Sequence, residues 1–180
     1  MSPRQIKLFI VITLIFCNIG CDQATKHVIG ASIDKTKTTS VVGDLFVLKY
    51  AENTGAFLSL GSALPARAKP VFMVALPLVM MLALLVMVVH GYVVTGAMPG
   101  VSMFAFCCIL GGGLGNMYDR LTNNGMVVDF MNFGIGSLRT GILNFADLSI
   151  TLGVVTVLAA QALQGRALRS QSQLHAAPDK

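Results

Sequence analysis

The stretch that decides the fold is VFMVALPLVMMLALLVMVV, which runs from Val71 to Val89 and contains no charged residue. At about 1.5 Å per residue, a helix of this length measures about 29 Å. The hydrocarbon core of a bilayer is about 30 Å thick. Pro77 is the only helix breaker inside the stretch. The sequence therefore predicts a helix that crosses a membrane here.

Composition extends this prediction to the whole chain of 180 residues. Hydrophobic residues make up 54% of it, charged residues 12%, and the mean hydropathy is +0.73. These values predict an integral membrane protein with one domain over residues 1–180. The net charge of +5 comes without a basic run or interleaved aromatic residues, so no nucleic-acid partner is expected. None of the four cysteines has CxxC spacing, so neither a metal site nor a disulfide framework is predicted.

Four apolar segments divide the chain into predicted elements. Within the region between the first two segments, Ser40–Tyr50 (SVVGDLFVLKY) predicts one or two short strands with a Gly-Asp turn. The first segment has the charge pattern of a signal peptide that ends at Cys21, but Asn18 and the three later spans favour an uncleaved helix. The expected bounds are about 6–26 for helix 1, 28–69 for an extramembrane β segment, 71–90 for helix 2, 98–118 for helix 3, 119–140 for a loop, 141–163 for helix 4 and 164–180 for a polar tail.

The distribution of basic residues predicts the orientation of the chain. Arg4, Lys7, Arg166 and Arg169 flank the outer ends of the first and last segments. Cytoplasmic loops and tails carry an excess of such residues, so both termini are expected in the cytoplasm. With four crossings, the end of helix 1, the end of helix 3 and the start of helix 4 then share the outer face.

Four aspartates lie at that shared face. Asp22 follows the first segment, Asp119 and Asp129 follow the third, and Asp147 lies inside the start of the fourth. Ionisable groups at membrane depth are costly, so such a cluster is a functional-site hypothesis. Asp129 and Asp147 each have apolar neighbours, and desolvation with mutual repulsion should raise the pKa of one of them. One carboxylate could then activate a water while the other, protonated, donates to the attacked carbonyl, as in aspartic proteases.

Other polar residues surround this pair. Asp22 and Lys26 are four residues apart and can pair on one helix face. Asn144 precedes Asp147 by three residues and can orient its carboxylate. Arg120 could pair with Asp119 or bind a lipid or backbone carbonyl group. The three histidines lie outside plausible triad contexts, and aspartates alone are weak metal ligands, so neither a serine hydrolase nor a metal site is predicted.

Two other interpretations remain open at this point. A small ion- or proton-coupled transporter could use the aspartates as a relay, although it would be expected to carry polar residues through the depth of the bilayer. The second segment has none. A non-catalytic membrane subunit could use the aspartates to pair with cationic partners, and their replacement would then disturb assembly rather than turnover.

Five blocks of sequence together resemble a known family. They are Cys21–Lys26 (CDQATK), Asn53–Phe57 (NTGAF), Gly112–Arg120 (GGLGNMYDR), Val127–Phe130 (VVDF) and Asn144–Asp147 (NFAD). In this order and spacing, over about residues 6–165, they resemble the bacterial lipoprotein signal peptidases (signal peptidase II).

The resemblance implies an α-helical protein of the bacterial inner membrane with four transmembrane helices and a small β platform on the outer surface, between helices 1 and 2. It implies an aspartic endopeptidase that cuts prolipoproteins before the diacylglyceryl-modified cysteine. No cofactor or metal is expected, because water is the nucleophile. Partners would be the lipid-modified prolipoprotein and membrane phospholipid, and we expect a monomer. The implied site comprises Asp129 and Asp147 as the catalytic pair, Asn53, Asn116, Arg120 and Asn144 as site-shaping or substrate-binding residues, and Asp22, Lys26, Gly55 and Asp119 as structural neighbours.

Overall fold

The computed structural model describes residues 1–55, 65 and 67–175 of the chain. In this part, four helices and a four-stranded antiparallel sheet form the fold. The helices are α1 (Pro3–Ser32), α2 (Leu76–Val88), α3 (Gly100–Thr122) and α4 (Phe145–His175). π-Helical turns at Val71–Ala75 and Val89–Val94 extend α2 at both ends. The strands are β1 (Thr38–Val42), β2 (Phe46–Asn53), β3 (Val127–Ile135) and β4 (Leu138–Arg139), in the sheet order β1-β2-β3-β4.

The four helices provide four candidate membrane spans by length and composition. The spans are Pro3–Ser32, Val71–Val94, Gly100–Thr122 and Phe145–Arg166. Large apolar side chains point outwards from them, with Phe16 67%, Val79 65% and Leu158 60% exposed. Such surfaces belong in hydrocarbon rather than in water. The predicted membrane fold with four helices is confirmed.

Helix α3 lies at the centre of the bundle. In its most apolar window, 56% of the residues are buried, against 11–22% in the other three spans. Glycines permit this close packing, because a side chain at Gly112 would overlap the carbonyl oxygen of Ala146 in α4. A Cβ atom at Gly115 would lie 2.7 Å from the carboxylate of Asp22 in α1. The glycine run therefore brings the C-terminal half of α3 against α1 at Asp22, well before α1 ends, and against the start of α4.

The sheet confirms one expectation and corrects another. β1 and β2 form the predicted hairpin, which turns at Gly43 with φ +51°. β3 lies in the 119–140 stretch that the sequence predicted as loop, and it pairs with β2 so that Ala51 faces Asp129. β3 is buried on both faces, so its sequence lacks the alternation of apolar and polar residues that reveals a half-exposed strand. Its partner β2 is also distant in the chain, so no local signal marks their pairing. The platform thus combines β1 and β2, which precede the second span in the chain, with β3 and β4, which follow the third.

The helices differ in extent from the sequence-based bounds. The π-helical turn after α2 continues to Val94 rather than 90, and α3 covers Gly100–Thr122 rather than 98–118, while α1 and α4 differ most. α1 begins at Pro3, since Ser2 and Gln5 form a capping box, and it continues to Ser32. α4 begins at Phe145 rather than near 141, because residue 144 caps it. Its C-terminal part runs to His175, inside the stretch expected to be a polar tail.

Candidate active site

Asp129 and Asp147 meet around a single asparagine. Asp129 lies in β3 and Asp147 in the first turn of α4, and both are buried. The side-chain Nδ2 of Asn144 donates to Asp129 Oδ1 at 2.6 Å, and the backbone N–H of Asn144 donates to Asp147 Oδ2 at 3.2 Å. The structure therefore brings the two predicted aspartates into one polar pocket.

The start of α4 determines how Asp147 is oriented. Asn144 Oδ1 accepts a hydrogen bond from the backbone N–H of Asp147 at 3.0 Å. Together with the bond from the Asn144 backbone to the Asp147 carboxylate, this forms the reciprocal pattern of a capping box. The sequence predicted that Asn144 and Asp147 lie on one face of helix 4, with both residues inside the helix. In the structure they are instead the cap and the third residue of α4.

Two further asparagines complete the contacts of the carboxylates. Asn116 Nδ2 donates to Asp147 Oδ1 at 3.0 Å, and Asn53 Nδ2 donates to Asp129 Oδ2 at 2.9 Å. Each of the four carboxylate oxygens in the pair thus accepts at least one N–H bond. Bonds of this kind fix both side chains without supplying a full positive charge to them.

The charges around the pair do not balance. The described part of the cluster holds the carboxylates of Asp22, Asp119, Asp129 and Asp147 and the cations of Lys26 and Arg120. Burial raises the pKa of Asp129 to about 6, and the nearby charge of Asp147 adds to this effect, while the hydrogen bond from Asn53 opposes it. Asp129 therefore holds a proton far more readily than an ordinary aspartate.

Lys26 links the site to α1. Its Nζ lies 2.7 Å from Asp22 Oδ2, 2.8 Å from Asp119 Oδ2 and 3.1 Å from Asn116 Oδ1, and all of these groups are buried. The pair of Asp22 and Lys26 that the sequence suggested is present, and Asp119 shares it.

Arg120 takes one of the partners that the sequence left open. Its Nη2 donates to the backbone carbonyl of Gly55 at 2.8 Å, and its Nη1 donates to the carbonyl of Asn116 at 3.3 Å. The buried Nε of Arg120 has no hydrogen-bond partner among the described residues.

Gln23 belongs to the same network, although the sequence analysis gave it no role. Its Nε2 donates to Asp119 Oδ1 at 2.8 Å and to the Gly115 carbonyl at 3.2 Å, and it lies 3.1 Å from Asp22 Oδ2. The available signal was its position directly after Asp22 in the CDQATK block. Gln23 helps to tie the ends of α1 and α3 together.

An apolar cavity of about 610 Å³, which we call the α2–α4 groove, opens beside the pair. Asn116, Arg120 and Asp147 line its polar part. Most of the remaining wall is apolar and includes five methionines, which are Met73, Met80, Met81, Met87 and Met117. Unbranched methionine side chains adapt to ligands of different shape. The groove can thus accept an extended apolar group next to a carboxylate. In the described part of the chain, no group of three or more His, Cys, Asp or Glu residues could hold a metal ion.

Solved structures define the class of this fold. One, titled "Bacterial membrane enzyme structure by the in meso method at 2.3 A resolution", matches with a TM-score of 0.70 at 23% identity and covers 94% of each chain. Another, with the same title at 1.9 Å, also has a TM-score of 0.70 at 23% identity and covers 84% of this chain and 91% of that one. The fold is that of a bacterial membrane enzyme.

Sequence comparisons define the family. The family model described as Signal peptidase (SPase) II matches residues 14–163. A lipoprotein signal peptidase of Treponema denticola is 34% identical over 149 residues, which cover 78% of this chain and 84% of that protein. One of Francisella tularensis subsp. novicida is 31% identical over 156 residues, covering 87% and 91%. The chain belongs to the signal peptidase II family of membrane proteases, as its five sequence blocks suggested, and that family removes signal peptides from lipoproteins.

Proposed function

We propose that the protein is an aspartic endopeptidase that cuts prolipoproteins immediately before the diacylglyceryl-modified cysteine, with Asp129 and Asp147 as the catalytic pair. One observation carries this proposal: Asn144 binds both carboxylates, through its side chain on Asp129 and its backbone on Asp147. Two buried carboxylates held together in this way are suited to share one proton.

The reaction needs only water as its nucleophile. The ionised member of the pair takes a proton from a water whose oxygen attacks the carbonyl carbon of the scissile peptide. The protonated member donates its proton to the carbonyl oxygen, which gives a neutral tetrahedral intermediate. Collapse of that intermediate breaks the C–N bond. The proton taken from water passes to the leaving nitrogen, and one hydroxyl of the intermediate returns a proton to the aspartate that had donated, which restores the pair. The products are a signal peptide with a new carboxyl terminus and a lipoprotein whose amino-terminal cysteine carries a free amine.

The neighbouring residues take supporting roles in this mechanism. Asn53, Asn116 and Asn144 orient the carboxylates through the hydrogen bonds described above. Arg120 lines the groove and carries a buried Nε–H without a partner among the described residues, so it is suited to bind a backbone carbonyl of the substrate. Gly55 holds the Arg120 side chain through its carbonyl oxygen.

The α2–α4 groove is the proposed path for the lipidated substrate. Its apolar wall suits the hydrophobic part of a signal peptide, while acyl chains on the cysteine remain in the bilayer with the phospholipid. We place the site at the periplasmic face of the inner membrane, with both termini in the cytoplasm and one copy of the chain as the working unit. A transporter is disfavoured because the polar cluster lies at one end of the bundle, where α3 ends and α4 begins.

The decisive experiment measures cleavage of a diacylglyceryl-modified prolipoprotein by the purified protein in lipid vesicles. Asp129→Asn and Asp147→Asn, each tested separately, should lower the cleavage rate by at least about 10²-fold, since a general acid or base contributes about 10²–10⁴-fold. Both variants should keep the melting temperature of the wild-type protein within a few degrees.

Two controls accompany these variants. Asp34→Asn removes an exposed carboxylate whose contacts with Lys37 and Thr36 lie outside the site, so it should leave the rate unchanged. The same precursor without its lipid should be cut poorly by the wild-type protein. Full activity in either dyad variant would remove that residue from the mechanism, and equal rates for both precursors would contradict lipid recognition.

A further inference from the structure

A buried ion triad lies behind the aspartate pair. Lys26 bridges the carboxylates of Asp22 and Asp119, and the three side chains are 0–5% exposed. Two elements contribute to the triad, because Asp22 and Lys26 belong to α1 and Asp119 belongs to α3. The proposed mechanism does not use any of these three residues.

Each carboxylate of the triad also binds the backbone directly before one member of the pair. Asp22 Oδ1 accepts the backbone N–H of Ala146 at 2.9 Å, one residue before Asp147. Asp119 Oδ2 accepts the backbone N–H of Val128 at 3.2 Å, one residue before Asp129. The chain segments that carry the two aspartates are therefore both anchored to the same group of charges.

A third link runs through Asn116. Its Oδ1 accepts hydrogen bonds from Lys26 Nζ at 3.1 Å and from Asn144 Nδ2 at 3.0 Å. With the oxygen occupied by two donors, the amide nitrogen must face Asp147, to which it donates at 3.0 Å. Lys26 thus fixes which end of the Asn116 carboxamide meets the catalytic carboxylate.

A contribution to the stability of the fold does not by itself explain why these three charges are buried together. The desolvation of buried charges offsets much of their attraction, and neutral or apolar replacements of similar shape are often as stable. Catalysis depends more steeply on geometry, since a misplacement of about 1 Å can cost about 10²-fold in rate. We propose that Asp22, Lys26 and Asp119 form a positioning device that sets the separation of the segments carrying Asp129 and Asp147. This inference rests on the proposed function.

The test removes the charges while keeping the shapes. In the triple variant Asp22→Asn/Lys26→Met/Asp119→Asn, the backbone N–H groups keep only neutral amide oxygens as acceptors, which bind them more weakly than carboxylates do. Methionine fills the volume of the lysine stem. The variant should fold with a melting temperature within a few degrees of the wild-type value. Its kcat should fall by about 10–100-fold, while KM for the lipidated precursor changes less than about twofold, because the groove is intact.

A single replacement covers the case in which the triple variant does not fold. Asp119→Asn leaves a balanced pair of Asp22 and Lys26, and it removes the charge that Lys26, Gln23 and the backbone N–H of Val128 contact. It should lower kcat several-fold with KM unchanged. Asp34→Asn, which breaks an exposed ion pair with Lys37, is the matched control and should keep the wild-type kcat.

Hydrogen exchange gives a readout that does not depend on activity. In the triple variant, the amides of Val128 and Ala146 should exchange at least about tenfold faster than in the wild-type protein, while the middle of α3 stays protected. Wild-type kcat in the folded variants, a loss of kcat that only follows a loss of thermal stability, or unchanged exchange at both amides would each overturn the proposal. If the wild-type protein fails to cut the lipidated precursor, the proposed function fails, and the exchange data still decide whether the triad anchors the two segments.

Discussion

Asn144 combines two tasks in a single side chain. Its Oδ1 caps α4 by accepting the backbone N–H of Asp147, and its Nδ2 donates to Asp129 and Asn116. The helix start and the aspartate pair are therefore built by the same residue. A substitution that keeps the cap but removes the amide separates the two tasks.

Asn144→Ser should retain the cap, because serine is as good an N-cap residue as asparagine. Cleavage should fall by at least tenfold, since serine cannot reach Asp129 and Asn116 as the amide does. Both Asn144→Ser and Asn144→Ala lose these buried bonds, but only alanine also loses the cap. Thermal unfolding should therefore show the alanine variant to be less stable than the serine variant by about 1 kcal/mol. A serine variant with full activity would contradict the assigned role of the amide.

The pH dependence of stability should report the protonation of Asp129. Its pKa is about 6 in the folded protein, against an ordinary value of 3.8. Between these values the folded protein binds a proton that the unfolded chain does not, so stability rises as the pH falls from about 7 to about 4. The full effect is about 3 kcal/mol, at about 1.4 kcal/mol per pKa unit.

The measurement compares the melting temperature of the wild-type protein with that of Asp129→Asn across this pH range. The asparagine variant has no such proton, so the difference between the two proteins should shift in favour of the wild type as the pH falls. Parallel curves would show that Asp129 titrates normally.

At the scale of elements, two adjacent glycines of α3 have different surroundings. Gly112 packs against α4, and Gly113 lies in the wall of the α2–α4 groove. A Cβ atom at Gly112 would meet the backbone oxygen of Ala146, which cannot move without shifting α4. A Cβ atom at Gly113 would lie 2.7 Å from Met81 Sδ, part of a side chain that can rotate away. The two adjacent positions thus have neighbours of very different rigidity.

We expect Gly112→Ala to be destabilised by about 1–3 kcal/mol, the range for overpacking in a tight contact. Gly113→Ala should stay within about 1 kcal/mol of the wild-type stability and lose no more than a few-fold of its cleavage rate. Thermal unfolding in detergent and the vesicle assay measure these effects. Equal losses of stability in both variants would contradict the packing described for α3.

Helices and sheet differed in how far the sequence could predict them. The spans were readable because long apolar runs are local signals, as in Val71–Val89. The hairpin of β1 and β2 was readable from its Gly-Asp turn. β3 was missed because its pairing with β2 is non-local and Asp129 interrupts its apolar residues.

In the candidate site too, contacts between residues distant in the chain could not be predicted from the sequence. Spacing predicted the pair of Asp22 and Lys26, but the third member, Asp119, follows only from the packing of α3 against α1. Likewise, the sequence suggested that Asn144 orients Asp147, whereas its hydrogen bond to Asp129 requires the position of β3. Sequence motifs were enough to name the residues of the site. The contacts between residues of different helices and strands could be known only from the fold.

At the scale of the whole molecule, the sheet and the aspartates lie at one end of the bundle and the turn between α2 and α3 lies at the other. Orientation in the membrane can be tested with single cysteines in a variant whose four natural cysteines are replaced. Thr39→Cys on β1 should react with a membrane-impermeant maleimide on intact cells, because β1 is exposed and the proposed topology puts it in the periplasm. Ala97→Cys in the turn should react only after the membrane is opened. The reverse pattern would invert the proposed topology.

Met80 lines the α2–α4 groove and is 63% exposed on the outer surface of the bundle, so this wall of the groove faces lipid. Under the proposed function, a precursor already anchored in the bilayer reaches the aspartates by lateral diffusion, without leaving hydrocarbon. For such an enzyme the meaningful concentration is the number of precursor molecules per lipid, not per volume of solution. Crowding of the membrane and the supply of bilayer area would then govern how quickly each precursor meets the enzyme.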